Sequence, residues 1–276
     1  MMDERLPLEW KEMAVIDAVT AAMEALFESV DDDPAHSIGH VKEVTQLVVE
    51  AARHQSPWRR LALVLSALLH EADDDKIFKK TGGSENTIQV LREALPACDR
   101  KQEMVDLVIE VISLVSARAN KNAQTAEDER WKLIVRDADR LEAVGEVGIA
   151  RCYAYNSKAG MPLFTESTAR PNSEEELWAT VATPERFAAY DKSVSMVDHY
   201  FDKLLHVCVC SSGNAYLEER MQDKRKTMVD FVMNFARQGS LDIDYLDALR
   251  AKHCPQRKKR RVEPAPAPET PVACAG

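Results

Sequence analysis

The fold class is decided by residues 58–70, which read Trp-Arg-Arg-Leu-Ala-Leu-Val-Leu-Ser-Ala-Leu-Leu-His. Apolar side chains would cover nearly every side of a helix over this stretch, so it predicts a helix at the centre of the protein. Its length and its Ala and Leu content argue against a strand. The 276 residues include only nine glycines, which also favours helices because sheet-rich folds need glycine at turns and bulges.

Helical periodicity continues on both sides of the central stretch. The predicted helices are residues 8–30, 40–53, 58–70, 84–95, 101–117, 127–156, 184–209, 214–238 and 242–251. The sequence therefore predicts an all-α helical bundle that forms one domain over residues 1–250. Within it the candidate motifs span residues 36–151 and the C-terminal helices span residues 184–250.

Charge and hydropathy exclude several classes of protein. The net charge of −10 gives no overall sign of nucleic-acid binding. No apolar run reaches about 18 residues, so no membrane span is predicted. The N-terminal residues 1–13 are charged and lack the apolar core of a signal peptide, which predicts an intracellular, cytoplasmic protein.

The C-terminal residues 251–276 differ in composition from the rest of the chain. They are rich in Pro and Ala and include five consecutive basic residues, Arg257–Arg261. Such a composition buries too little apolar surface to order, so a disordered tail is predicted. The basic run is similar to short nuclear import signals, and predicts an import carrier as partner and a nuclear location. A solvated charge block that only aids solubility is the alternative.

Three polar clusters occur in or beside the apolar helices. His70-Glu71 ends the central helix, where buried polar groups need partners and a metal ion is one way to supply them. His36 and His40 are four residues apart and share a helix face. Residues 136–142, Arg-Asp-Ala-Asp-Arg-Leu-Glu, bring five charges into an apolar helix. The structural alternatives are a solvated helix C-terminus, a capping feature and a ladder of internal salt bridges.

Together these clusters resemble the HD-domain metal-dependent phosphohydrolase superfamily, whose ligands follow the order His, His-Asp, Asp. The matching residues are His40, His70-Glu71 and Asp137. The likeness is closer to the YedJ/YpgQ-like branch, whose long central motif resembles residues 137–151, Asp-Ala-Asp-Arg-Leu-Glu-Ala-Val-Gly-Glu-Val-Gly-Ile-Ala-Arg. The branch's last motif is matched by residues 199–204, His-Tyr-Phe-Asp-Lys-Leu.

The chain departs from this pattern where Glu71 replaces the aspartate of the His-Asp pair, and where residues 113–118 lack the histidine of the branch. No histidine lies between His70 and His199, so di-iron and multi-metal members of the superfamily would lack ligands here. The resemblance thus implies one divalent metal ion, Mn²⁺ first, with Fe²⁺, Mg²⁺, Co²⁺ or Ni²⁺ as alternatives.

The resemblance also implies roles for single residues. The metal ligands are His40, His70, Glu71 and Asp137, and they would hold an activated water next to a phosphorylated substrate, a nucleotide. The implied catalytic residues are Asp74, as acid or base, and Lys76, as phosphate clamp. The implied substrate contacts are His36, Arg140, His199 and Lys203. A solvated helix lysine remains the alternative for Lys203, and an ion pair of Asp139 with Arg140 remains the alternative for Arg140.

Two other functions remain open besides phosphohydrolysis. The first is a protein that binds nucleotide or metal as a sensor with weak or no catalysis, which Glu71 and the lost histidine favour. The second is a metal oxidoreductase on the same fold, against which the missing histidines argue. The sequence does not define the oligomeric state.

Overall fold

The computed structural model describes residues 5–7, 10–28, 37–74, 77–78, 83–116 and 122–254. In these ranges every regular element is a helix, which confirms the all-α prediction. No helix there is both long and apolar enough to cross a membrane. His36, Lys76 and the basic run Arg257–Arg261 lie outside the described residues, so their roles stay predictions.

The helices of the described residues differ widely in length. In order they are α1 (Glu12–Glu28), α2 (Ile38–Ala51), α3 (Pro57–Leu69), α4 (Glu85–Ala94), α5 (Lys101–Ser113), a 3-10 helix (Glu127–Leu133), α6 (Ile134–Ala143), α7 (Glu146–Ala159), α8 (Glu174–Glu176, then π-helical Leu177–Val181), α9 (Pro184–Ala188), α10 (Met196–His199, π-helical Tyr200–Leu204, then Leu205–Val207), α11 (Ala215–Gln238) and α12 (Ile243–His253).

Helix α3 lies at the centre of the core, as its sequence predicts. Every residue from Leu61 to Leu69 is buried, and α1, α2, α5 and α6 pack around the helix. Its start is fixed by Ser56, whose hydroxyl accepts a hydrogen bond from the backbone N–H of Arg59, and by Pro57 in the first turn. The C-cap residue of this buried helix is His70.

Two of the predicted helices are interrupted. The prediction of one helix over residues 127–156 is wrong, because the chain turns at Val144-Gly145 between α6 and α7. Gly145 has φ +75°, and a Cβ at Gly148 would lie 2.6 Å from the carbonyl oxygen of Ala143, so this tight corner needs both glycines. The predicted helix over residues 184–209 also breaks, because Ser195 starts a new helix by accepting a hydrogen bond from the N–H of Asp198.

The corner and the helix ends bring α2, α3 and α6 into mutual contact beside α11. The first residue before α11, Asn214, accepts a hydrogen bond from the N–H of Leu217 and donates one to the carbonyl of Ala51 at 2.9 Å. This contact joins the start of α11 to the end of α2. The polar residues of α2, α3 and α6 thereby meet at one place.

The central position of α3 makes it sensitive to cavities. Leu65 is fully buried, so Leu65→Ala should lower the free energy of unfolding by about 2–5 kcal/mol. Val49 on α2 is 43% exposed, and Val49→Ala should cost less than about 1 kcal/mol. Urea denaturation of both variants measures the difference. Equal losses would contradict the packing described for α3.

Candidate metal centre

Two histidine rings meet where the start of α2 reaches the end of α3. The Nε2 atoms of His40 and His70 lie 3.2 Å apart. Both side chains are almost fully buried, with exposed fractions of 3% and 1%. The ring of His40 is placed from the first turn of α2, where Ser37 accepts a hydrogen bond from the His40 backbone N–H and caps the helix.

The other nitrogen of each ring faces a hydrogen-bond acceptor. The Nδ1 of His70 donates to the carbonyl oxygen of Ala67 at 2.7 Å. The Nδ1 of His40 donates to Oε2 of Glu142 at 2.9 Å. A carbonyl and a carboxylate only accept, so both Nδ1 atoms carry hydrogen, and in its neutral form each ring keeps an Nε2 lone pair for a metal ion. This is the arrangement in which metal-binding histidines are held.

Two carboxylates complete the cluster. Oε1 of Glu71 lies 3.8 Å from Nε2 of His40 and 3.7 Å from Nε2 of His70. Oδ1 of Asp139, on α6, lies 3.2 Å and 3.8 Å from the same two nitrogens. Glu71 is buried, whereas the Asp139 side chain is 26% exposed, so the cluster is open on the Asp139 side.

Asp137 is not part of this cluster, and the prediction that it faces His40 and His70 is wrong. Its Oδ2 accepts hydrogen bonds from the backbone N–H groups of Ser211 and Ser212 at 2.8 and 2.7 Å, and its side chain is fully buried. The physical reason is helical geometry. Residues two apart in an α-helix are separated by about 200° around the helix axis, so their side chains point to nearly opposite sides. Asp139 occupies the place in the cluster that the sequence assigned to Asp137.

Acceptor atoms dominate the cluster, so it attracts positive charge. Burial lowers the pKa of His40, but hydrogen bonds to Asp139 and Glu142 and the charges of both carboxylates outweigh it and raise the pKa to about 10. Burial would raise the pKa of Asp139, yet the hydrogen bond with His40 and the charges of both histidines hold it below its usual value. In the absence of a metal ion, a proton on His40 supplies the positive charge that the carboxylates attract.

The donor set fits a divalent metal ion. Ligand atoms of His40, His70 and Glu71 all lie within 4.8 Å of one another, and Asp139 adds a second carboxylate beside the two Nε2 atoms. Two imidazole nitrogens and two carboxylate oxygens form a mixed site that suits several first-row metals. The same residues could not satisfy each other without a cation, because neutral Nε2 atoms and carboxylates offer no hydrogen.

The structure places the other predicted site residues around or away from the cluster. Asp74 is half buried in the turn just after Glu71, with its N–H donating to the Glu71 carbonyl at 3.3 Å. Arg140 is buried and donates from Nη2 to Oδ1 of Asn122 at 2.7 Å. Burial, reinforced by the charge of Arg136, lowers the pKa of Arg140 to about 10, which leaves it cationic at neutral pH.

His199 and Lys203 lie on α10, which packs against α7, α9 and α11. The Nδ1 of His199 is 3.3 Å from the hydroxyl of Tyr190 and 3.2 Å from that of Ser193. Burial and the positive charge of Lys203 lower the pKa of His199 to about 4, so this ring is neutral at pH 7. Substrate contact by either residue stays a prediction.

Sequence reasoning missed three contributors to the site, Asp139, Glu142 and Arg151. Asp139 and Glu142 are three residues apart and share the α6 face that meets His40, whereas Asp137 does not share it. That spacing was the available signal. Arg151, which pairs with Glu142 through two hydrogen bonds of 2.8 Å, could not be found this way because it lies on the next helix beyond the glycine corner.

A viral protein is similar in sequence to most of this chain. An uncharacterized protein of Acanthamoeba polyphaga mimivirus, L803, is 34% identical over 226 residues, which cover 76% of this chain and 91% of the viral protein. This chain belongs to the same family as L803. No protein-family model matches the chain.

Solved structures identify the fold, which is the HD-domain fold of the YpgQ-like proteins. An HD-superfamily hydrolase from Bacillus thuringiensis is 20% identical to this chain, with a TM-score of 0.57. The match covers 83% of this chain and 98% of the hydrolase chain. YpgQ from Bacillus subtilis in complex with ADP is 19% identical, with a TM-score of 0.54, and the match covers 82% of this chain and 95% of the YpgQ chain. These structures confirm the predicted family resemblance at the level of the fold.

The two aspartates of α6 provide a matched test of the metal centre. Asp139→Asn should weaken Mn²⁺ binding by at least about 100-fold, because it removes a charged ligand. Asp137→Asn should leave Mn²⁺ affinity within about threefold and lower the free energy of unfolding by about 1–3 kcal/mol, since the N–H groups of Ser211 and Ser212 lose a buried carboxylate acceptor. Calorimetric titration and urea denaturation measure these effects. The reverse pattern would return Asp137 to the ligand set.

Proposed function

We propose that this protein is a metal-dependent phosphohydrolase that hydrolyses nucleotides. The single observation that carries the proposal is the convergence of His40, His70, Glu71 and Asp139 beside the end of a buried helix. The fold supports it, because a protein of the same fold is described as an HD-superfamily hydrolase. The nucleotide is suggested by the ADP bound to YpgQ, which also has this fold.

The four side chains would hold one divalent metal ion, which when bound polarises a phosphoryl oxygen and lowers the pKa of a coordinated water. The histidines and Glu71 come from the buried side and leave the side of Asp139 for the substrate. Low exposure of the histidine rings limits access of bulk water and strengthens electrostatic contacts with a developing negative charge.

Asp74 is our candidate for the residue that accepts or donates the proton of the attacking water. It follows Glu71 by three residues, and its carbonyl accepts hydrogen bonds from the N–H groups of Ile77 and Phe78 at 3.0 and 2.9 Å, which fix the backbone of Asp74 itself. A fixed backbone gives a general acid or base a defined position relative to a neighbouring ligand. Arg140, His199, Lys203, His36 and Lys76 remain candidates for contacts with phosphate oxygens or the rest of the substrate.

The competing function is a sensor that binds nucleotide or metal without hydrolysis. Its support is Glu71, which stands where the HD-domain pattern has aspartate, and the absence from residues 113–118 of the histidine of the branch. The structure brings the longer Glu71 side chain to within 3.7–3.8 Å of both Nε2 atoms, so the replacement keeps a carboxylate in the cluster. This observation removes the main sequence argument against a catalytic metal centre.

A hydrolysis assay with Glu71 variants separates the two functions. Wild-type protein with Mn²⁺ should convert nucleoside triphosphates to products that chromatography resolves as monophosphate, diphosphate, phosphate or pyrophosphate. Glu71→Ala should lower kcat by at least about 100-fold through loss of the metal, whereas Glu71→Asp should retain part of the activity.

Glu110→Ala is the matched control, because Glu110 is an acidic residue that pairs with Lys132 outside the cluster. It should leave kcat within about twofold. Nucleotide binding without turnover, unchanged in Glu71→Ala, would support the sensor instead.

A further inference from the structure

The ring of His40 makes a hydrogen bond to Glu142 on the side away from the metal centre. We propose that Glu142, clamped by Arg151, is the positioning residue that fixes the ring of His40 and thereby sets the metal affinity of the site. The inference rests on the proposed metal centre, and it assigns to α7 a part in that centre. It predicts that residues which cannot touch the metal control how tightly it binds.

The contact with His40 determines which nitrogen is available as a ligand. Oε2 of Glu142 accepts a hydrogen bond from Nδ1 of His40 at 2.9 Å. Since the carboxylate holds hydrogen on Nδ1, the neutral ring presents an Nε2 lone pair to His70, Glu71 and Asp139. Without the acceptor, the neutral ring could hold its hydrogen on Nε2 or rotate about its χ angles, and either change would remove a ligand.

The contact with Arg151 fixes the Glu142 carboxylate. Nη1 of Arg151 donates to Oε2 and Nη2 donates to Oε1, both at 2.8 Å. The two side chains are 21% and 15% exposed, so the pair is shielded from most solvent. Bidentate pairing restrains the plane of a carboxylate as well as its position. Oε2 therefore faces His40 in a single orientation.

The α6–α7 corner is what brings Arg151 over Glu142. The two residues are nine apart and lie on different helices, joined through Gly145 at φ +75°. From the other side, Nζ of Lys224 on α11 donates to the carbonyl of Leu141 at 2.6 Å. This bond holds the last turn of α6, which carries Glu142. The corner and α11 together fix the backbone segments from which the Glu142 and Arg151 side chains extend.

The alternative is that Glu142 and Arg151 form an ion pair that only stabilises the fold. The chain contains a similar ion pair that can serve as a control. Arg60 on α3 makes the same two-point contact with Glu12 at the start of α1, with side chains 33% and 22% exposed. Within the described part of the chain, no hydrogen bond or ion pair joins this pair to a histidine of the cluster. Glu12→Leu and Arg60→Met therefore report what the loss of such a pair does to stability alone.

The test measures Mn²⁺ affinity of the full chain by calorimetric titration, with no nucleotide present. Glu142→Leu removes the acceptor and should weaken binding by about 10–100-fold. Glu142→Gln keeps an acceptor oxygen but loses the charge, so its loss should be smaller. Arg151→Met should weaken binding in the same direction by severalfold. Glu12→Leu and Arg60→Met should bind Mn²⁺ within about twofold of wild type, whatever their unfolding midpoints.

A second readout observes the positioned hydrogen itself. Protein labelled with ¹⁵N-histidine and loaded with Zn²⁺ should show a slowly exchanging Nδ1–H signal for His40, assigned by its absence in His40→Ala. The signal should persist in Glu142→Gln and Glu12→Leu and disappear or exchange rapidly in Glu142→Leu. A structural ion pair elsewhere would not move this signal.

The outcomes are distinguishable. Wild-type affinity and an unchanged Nδ1–H signal in Glu142→Leu would overturn the positioning role while leaving the metal centre intact. If wild type binds no Mn²⁺, or binds it as well after His70→Ala, the metal centre and this inference both fail. If Glu142→Leu does not fold, unchanged affinity in Glu142→Gln and Arg151→Met together overturns the inference.

Discussion

The structure depends on one electrostatic constraint, which is that acceptor atoms meet at the buried end of α3 and require a positive charge between them. The Nε2 atoms of His40 and His70 are 3.2 Å apart, and carboxylate oxygens of Glu71 and Asp139 lie within 3.2–3.8 Å of them. Two neutral lone pairs this close repel unless a proton or a metal ion lies between them. The placement of α2, α3 and α6 is therefore coupled to a cation.

The turn that follows His70 shows how neighbouring acidic residues take different roles. Glu71 points into the cluster, whereas Asp73 accepts hydrogen bonds from the N–H groups of Asn86 and Thr87 and from the Thr87 hydroxyl, at 2.7–3.0 Å. Asp73 thus caps the start of α4 and anchors the turn. Anchoring fixes the backbone from which Glu71 extends, so one extra methylene relative to aspartate alters the reach of the side chain but not its direction of approach.

The sequence was sufficient for the parts of the site that depend on local pattern. The all-round apolar stretch identified α3, and the residues at its end and at the start of α2 identified His70, Glu71 and His40. The sequence was insufficient where two candidate ligands share one motif, because the order of residues in Asp-Ala-Asp does not show which of the two aspartates faces α3. That choice depends on the rotation of α6, which is fixed by packing against α2, α3 and α11. It was also insufficient for the break at Gly145, since a single glycine within a helical pattern does not reveal a positive φ.

The two aspartates of α6 show why that rotation matters for function. Asp137 binds the backbone of Ser211 and Ser212, which lead through Asn214 into α11, and α11 in turn holds the last turn of α6 through Lys224. Asp139 points the opposite way, to the histidines. A helix that is fixed by a buried carboxylate on one face cannot rotate freely about its axis. The C-terminal helices therefore hold the Asp139 carboxylate beside the two histidines, which keeps the site attractive to a cation before one binds.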